Sequence, residues 1–293
     1  MRLNVEQALP KLVIAPGFVL GFAFIYGLMI WNGVLSLTAS RMLPNYDEFV
    51  GLEQYARLWE LDRWWLALRN LGVFSVLYVG GAMLIGMALA IMLDQKVRAE
   101  GWLRNIYLYP MALSFIVTGT AWKWMLNPSL GLEKLMRDLG WTSFKFDWLV
   151  QSETAIYCVV IAGIWQSAGF AMALFLAGLR GIDDSIIKAA QIDGASLPRI
   201  YWRIILPMLR PVVFSTIMVL SHLSIKSFDL VMALTGGGPG YASDVPATFM
   251  YTMSFTRGQI GMGAASATMM LATVAAIVVP YLYSELRSKP HDR

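Results

Sequence analysis

The sequence predicts an all-α polytopic membrane protein with six membrane-crossing helices, and composition and the length of the apolar runs carry that prediction. Of 293 residues, 57% are hydrophobic and only 14% are charged, and the mean hydropathy is +0.58. A soluble domain is about 45–50% apolar and about 25% charged, and a single soluble core stops growing near ~250–300 residues. Disorder and a collagen-like fibre need a far more polar or periodic chain. One cysteine excludes a disulfide scaffold.

Each element follows from a run of about 17–25 apolar residues, the length needed to cross a bilayer. The first span covers 12–37, 26 residues without a charge. A secretory signal core is only ~7–15 residues, so this run is expected to be a retained span. The second covers 68–93. The third, 105–126, is short and ends in Trp122, Lys123 and Trp124, an interface-anchor pattern. The fourth covers 155–179 and holds the lone Cys158, expected as a small buried hydrophobe. The fifth, 209–234, is clean to Ile225 and then carries Lys226 and Asp229. The sixth covers 262–284. Residues 1–11 and 286–293 are then short tails flanking one domain over 12–285.

The connecting segments alternate in charge. On the side of the N-terminus stand 13 basic and eight acidic residues, among them Arg2, Lys11, Lys96, Arg104, Arg199, Arg203, Lys289 and Arg293. The other side has ten basic and 11 acidic residues. The formal charge of +4 thus divides into +5 and −1, which puts both termini in the cytoplasm by the positive-inside rule. It is no sign of nucleic-acid binding. Among the outer segments, 52–65 is amphipathic and expected along the interface. Residues 127–154 combine an Asn127-Pro128-Ser129 turn with helical spacing over 132–139, and 235–240 read Thr-Gly-Gly-Gly-Pro-Gly.

The cytoplasmic loop 180–208 is the most informative stretch. Asp183, Asp184 and Ser185 are N-cap residues, Gly194 is a natural stop, and 186–193 between them form a helix too short to cross a membrane. A second helix starts near Pro198 and runs to Pro207. Small Ala189 and Ala190 let another surface approach closely, so the loop is read either as a docking site or as an interfacial connector.

Here the sequence becomes recognisable. Lys188-Ala189-Ala190-Gln191-Ile192-Asp193-Gly194-Ala195, followed by Ile204, Leu206-Pro207 and Pro211, resembles the "EAA" loop of membrane subunits of binding-protein-dependent ABC importers. Phe49-Val-Gly-Leu-Glu-Gln-Tyr55, and Ser227-Phe-Asp-Leu230 leading to Leu234-Thr-Gly-Gly-Gly-Pro239, are similar to the sugar-importing branch of maltose and glycerol-phosphate permeases. Tyr107-Leu-Tyr-Pro-Met-Ala112 and Thr118-Gly-Thr-Ala-Trp-Lys-Trp124 resemble glucose/mannose-type permeases of Gram-negative bacteria. The resemblance implies a type I ABC importer permease fold with a cytoplasmic coupling helix in a bacterial inner membrane. It implies four kinds of partner: a second, related permease, an ATPase dimer, an extracytoplasmic sugar-binding protein and membrane lipid. It also implies that Lys188, Ala189, Ala190, Ile192, Asp193, Gly194, Ala195, Leu206 and Pro207 couple to the ATPase. The family's usual Glu is Lys188 here, so either the ATPase offers an acidic partner or the backbone and small residues carry the docking.

The chain has no G-x-x-x-x-G-K-[ST] phosphate loop, and neither HExxH, CxxC nor a nucleophile elbow occurs. No cofactor, metal or catalytic role is therefore expected, and ATP with its magnesium should be bound by the partner. The glycine-rich outer segment reads as a flexible reversal, or, by the resemblance, as part of the surface that receives the binding protein. A sugar needs hydroxyl-pairing groups and an aromatic face, both costly in lipid and so expected in an interior. By the resemblance the candidates are Gln166, Ser167, Phe170, Ser224 and Ser227. Interhelical packing is the alternative use of such residues. Lys226 and Asp229 are read as a neutralised pair or, with His222, as a coupling-ion relay of an ion-driven secondary transporter. The loop motif argues against that transporter class, and a membrane enzyme lacks a catalytic constellation.

Overall fold

A computed structural model of the chain describes residues 5–95 and 98–288. Arg2, Lys96, Lys289 and Arg293, four of the basic residues behind the orientation argument, lie outside the described residues, as does His291. Among the described residues the chain is helical throughout, with β-pairing limited to the isolated bridges Thr38–Phe49 and Arg41–Leu43.

The elements are α1 (Val5–Leu35), α2 (Glu53–Glu60), α3 (Asp62–Asp94), α4 (Glu100–Ala112), α5 (Phe115–Met125), α6 (Leu132–Asp138), α7 (Ala155–Arg180) and α8 (Asp184–Ile192). They continue with α9 (Leu197–Ile200), α10 (Leu206–Met208), α11 (Arg210–Ile225), α12 (Phe228–Leu234), α13 (Pro246–Tyr251) and α14 (Ile260–Ser288). Wider π turns occupy Tyr201–Ile205 and Thr252–Thr256. Val13–Leu35, Asp62–Asp94, Ala155–Arg180 and Ile260–Pro280 are long and apolar enough to cross a bilayer, and Leu197–Met208 with Arg210–Ile225 qualify together as a pair bent by 65°.

Two expected spans are broken. The segment 105–126 divides into α4 and α5. After Pro110 the chain becomes extended at Leu113 (ψ 145°), and the Ser114 hydroxyl caps α5 by accepting from the Val117 N–H at 3.3 Å. A serine competes for backbone hydrogen bonds and starts helices readily, and the hydrophobicity of the run masked that signal. The segment 209–234 divides at Lys226-Ser227 into α11 and α12. The expected second loop helix, from Pro198 to Pro207, is α9, a π turn and α10. Pro207 has no N–H and its ring crowds the carbonyl one turn back, and the ladder widens so that the Leu206 N–H bonds the Tyr201 carbonyl. The amphipathic stretch 52–65 is made of α2, which ends at Glu60, and the first turn of α3, which begins at Asp62.

The chain forms two compact units, one from Met1–Asp62 and Phe249–Thr273, the other from Arg63–Thr248 and Val274–Arg293. In the first, the Asn32 amide donates to the Ala264 carbonyl (3.1 Å) and to Thr268 Oγ1 (3.0 Å), fixing α1 to α14. Residues 38–43 are held by Gly261 N–H to the Ser40 carbonyl (3.1 Å) and Met42 N–H to the Gly258 carbonyl (2.7 Å). The large apolar side chains from Val13 to Ile30 are exposed along α1, a surface that only lipid or another apolar chain satisfies.

In the second unit, small residues set the helix crossings. A Cβ on Gly86 of α3 would lie 2.6 Å from Ala171 Cβ of α7, and one on Gly119 of α5 would lie 2.7 Å from Ala233 Cβ of α12. Such contacts let backbones approach where lipid gives no hydrophobic drive for association. Phe74, Tyr78, Met172, Phe175, Leu220, Leu230 and Leu234 fill the interior.

Candidate functional site

The coupling loop has helix-terminus chemistry written into it. The Asp183 carboxylate accepts from the Ser185 N–H at 2.8 Å and starts α8. That backbone bond, the Ser185 hydroxyl and the nearby Lys188 charge hold its carboxyl below the usual range. At the other end Gly194 takes φ +78°. Its N–H bonds the Gln191 carbonyl and the Ala195 N–H bonds the Ala190 carbonyl, both at 3.0 Å. This is a Schellman stop, which requires a left-handed residue just past the helix. The Asp193-Gly194-Ala195 triplet is therefore a structural device as well as a motif.

Alpha8 buries one side and offers the other. Ala190 (8% exposed) and Ile187 pack into a cluster with Leu93 of α3, Met172, Phe175, Leu176 and Leu179 of α7, and Ile200, Ile205 and Leu209. Lys188, Ala189, Asp193 and Gly194 are exposed, and Ile192 stands 87% exposed. Leu197 and Trp202 are exposed beside it, while Leu206 and Pro207 are half-buried. The exposed side thus mixes small Ala189 and Gly194 and apolar Ile192 with charged Lys188 and Asp193, while the opposite face is tied to the core.

The second constellation lies at the two helix breaks. Met111, Leu113, Ser114, Phe115, Gln166, Ser167, Phe170, Leu223 and Asp229 line a cavity of about 290 Å³. Breaking a membrane helix strands backbone carbonyls, which persist only where protein or a water-filled cavity satisfies them. The Gln166 amide does so here, donating from Nε2 to the Leu113 carbonyl at 2.8 Å. Its Oε1 is buried without a protein partner. The Ser167 hydroxyl pairs with the Tyr78 hydroxyl at 2.7 Å, and the Trp122 and Trp165 rings meet edge-on at 5.8 Å.

Three of the five sequence candidates, Gln166, Ser167 and Phe170, thus share one wall. Ser224 and Ser227 do not line that cavity. The Ser224 hydroxyl is bonded to the Ser75 hydroxyl at 2.9 Å and to the Ser221 carbonyl at 2.8 Å, and the Ser227 hydroxyl is buried with no protein partner. Lys226 and Asp229 are not among the ion pairs of the described residues, so the expected neutralised pair does not form. Asp229 faces the cavity instead. The sequence offers Asp229 among the polar groups of the fifth span but pairs it with Lys226, and the break at 226–227 separates the two.

The glycine-rich segment is fastened rather than loose at its far end. Arg63 Nε contacts Asp244 Oδ2 at 2.7 Å, Asp244 Oδ1 takes the Thr248 hydroxyl, and the Asn70 amide donates to the Ala242 (2.8 Å) and Asp244 (2.9 Å) carbonyls. The Tyr241 ring lies 3.8 Å from Arg63 Cζ.

Residues 82–287 match the family of binding-protein-dependent transport system inner membrane components. The chain belongs to that family. It is a multi-pass inner-membrane permease, and the coupling loop and the whole cavity lie inside the matched region. The permease is 41% identical over 285 residues to a probable ABC transporter permease protein of Pyrococcus horikoshii, covering 97% of each chain. It is 36% identical over 274 residues to the xylose/arabinose import permease protein XacH of Haloferax volcanii, covering 92% of this chain and 86% of that one. Its fold is that of a chain in the crystal structure of a bacterial ABC transporter involved in import of the acidic polysaccharide alginate, with a TM-score of 0.83 over 98% of both chains at 19% identity. The expected type I importer permease fold is therefore the observed one.

Proposed function

We propose that this permease carries a sugar, a hexose of the glucose/mannose type, through the cavity at Gln166, Ser167 and Phe170. An external binding protein delivers the sugar, and ATP is hydrolysed on separate subunits docked against α8. The chain works beside a second, related permease, with both termini in the cytoplasm. The XacH likeness supports a sugar, and the cavity's mixture of amide, hydroxyl and phenyl groups suits one.

The observation that carries the mechanism is the continuity of α7. Its C-terminal turns, through Leu179, are packed with Ala190 and Ile187 of α8. Its middle carries Gln166, Ser167 and Phe170. The helix is unbroken between them, a rise of about 20 Å at ~1.5 Å per residue. Displacement of α8 by closing ATPase subunits moves that lever as a body. The wall of the cavity moves with it against α4, α5, α11 and α12, whose breaks provide hinges. The cavity then faces outward to take the sugar and inward to release it.

The importer reconstituted in proteoliposomes tests this. Uptake of radiolabelled sugar should require ATP, the ATPase subunits and the binding protein together. Transport by the permease alone, driven by a proton or sodium gradient, would overturn the reading.

A further inference from the structure

The first unit holds a second cavity, where the ends of two spans meet. Val13–Leu35 is 23 residues of apolar helix, a rise of about 35 Å against a hydrocarbon core of ~30 Å, so its last turn reaches the headgroup boundary. There Asn32 ties it to Ala264 and Thr268, at the start of the span Ile260–Pro280. Trp31, Leu35 and Phe255 give the cavity apolar walls, Ser254, Thr256 and Arg257 add polar groups, and its volume is about 710 Å³. Arg257 is the one charged side chain among the described residues that line it. Its backbone is fixed on both sides. The Arg257 N–H closes the π turn on the Thr252 carbonyl at 2.8 Å, and the Gly258 carbonyl accepts the Met42 N–H at 2.7 Å. Trp31 Nε1 donates to the Tyr46 hydroxyl at 2.6 Å, an aromatic pair of the kind that gathers at a bilayer boundary. Phe24, Leu28, Trp31 and Leu35 stand at helical spacing on one face of α1. Phe24 and Leu28 are exposed, so an apolar track about 16 Å long runs into the cavity at ~1.5 Å per residue.

We propose that this cavity seats one acidic phospholipid, whose phosphate is received by Arg257 and Thr256 and whose acyl chain lies along the Phe24–Leu28–Trp31 face of α1. A guanidinium offers a planar fork that matches phosphate oxygens, and basic pockets at the ends of membrane helices recognise lipid headgroups in this way. No carboxylate lines the cavity to repel the anion. The apolar track selects a lipid over a soluble phosphate, because a soluble anion leaves that surface uncovered. The inference requires only that the chain spans a membrane, and it stands apart from the sugar path at Gln166.

The test is native mass spectrometry of the detergent-purified, delipidated importer titrated with dioleoyl-phosphatidylglycerol. The expected result is a saturable lipid site at least about fivefold tighter for this lipid than for dioleoyl-phosphatidylcholine. Arg257→Ala and the cavity-filling Thr256→Trp should each weaken it at least about tenfold, and Arg257→Lys by less than about threefold. Arg41→Ala removes an exposed cation that does not line the cavity and should change binding less than about twofold. Both Thr256 and Arg257 are exposed, and thermal midpoints within about two degrees of wild type certify the folded variants. Equal losses in Arg41→Ala and Arg257→Ala would mean general attraction to surface charge and overturn the site, as would unchanged binding in Thr256→Trp. Displacement of the lipid by millimolar inorganic phosphate would overturn the lipid in favour of a soluble anion. A photo-cross-linker at position 255 should capture lipid, and capture of another importer subunit in its place would overturn the assignment.

Discussion

Asp244→Ala is the sharpest test of how the glycine-rich segment is held. The substitution removes the carboxylate that Arg63 meets in a pair whose side chains are 11% and 2% exposed at a separation of 2.7 Å. It also removes the acceptor of the Thr248 hydroxyl. Removing one member of a buried pair leaves an uncompensated charge and costs about 3–5 kcal/mol, whereas replacing both by apolar residues of similar size is often neutral. At 1.4 kcal/mol per decade, the local opening equilibrium of 235–248 should shift by about two to three and a half orders of magnitude. Hydrogen exchange of amides in that segment reads the opening directly, and the thermal midpoint reads its share of global stability. Asp244→Ala and Arg63→Ala should each raise exchange strongly. The paired change Arg63→Met with Asp244→Leu should recover most of the protection, because Asn70 still holds the Ala242 and Asp244 carbonyls. Exchange unchanged in Asp244→Ala, or energies of the two single alanine variants that simply add in the double alanine variant, would refute the claim that this pair fastens the segment.

Two further outcomes follow from single contacts. Ile192→Glu changes a side chain that is 87% exposed, so permease stability should move by less than about 0.5 kcal/mol, while co-purification of the ATPase subunits falls at least about tenfold. Gly86→Val places a Cβ 2.6 Å from Ala171 Cβ and 2.8 Å from the Met172 backbone nitrogen. Overpacking there should lower stability by about 1–3 kcal/mol, measured as a drop in the thermal midpoint. Gly17→Val, whose Cβ would meet nothing, is the control that should not move it.

The sequence made the fold class and the ends of the short loop helix α8 legible for a physical reason. Long apolar runs have few alternative uses, and helix termini are set by local side-chain chemistry. Asp183 caps α8 and Gly194 stops it as local rules require. The breaks were harder to read. Leu113-Ser114 and Lys226-Ser227 sit inside runs whose hydrophobicity is that of a span, and a helix break depends on what accepts the freed backbone groups. For the first break that acceptor's partner is Gln166, 53 positions away, a relation that no local window contains. The same limit explains the substrate candidates. Gln166, Ser167 and Phe170 share one stretch of a regular helix, and all three line the one cavity. Ser224, Ser227 and Asp229 flank a break, beyond which helical spacing no longer says which side chains face together.

The intact and the broken helices serve opposite ends. Alpha7 crosses from the coupling cluster at Phe175–Leu179 to the cavity at Gln166 without a proline or a missing backbone bond, so a push at α8 is not absorbed along the way. The partner segments carry the interruptions near the cavity, at Pro110 and Ser114 and at Lys226 and Ser227, while the 65° bend before α11 stands at Leu209, beside the cluster with α8. A chain with breaks in α7 and none elsewhere would keep the same composition and the same cavity lining. It would lose the rigid link between α8 and the cavity on which the proposed mechanism depends. On the proposed mechanism, the order of stiff and hinged elements, more than any single polar residue, is therefore what would carry a displacement at α8 to the cavity.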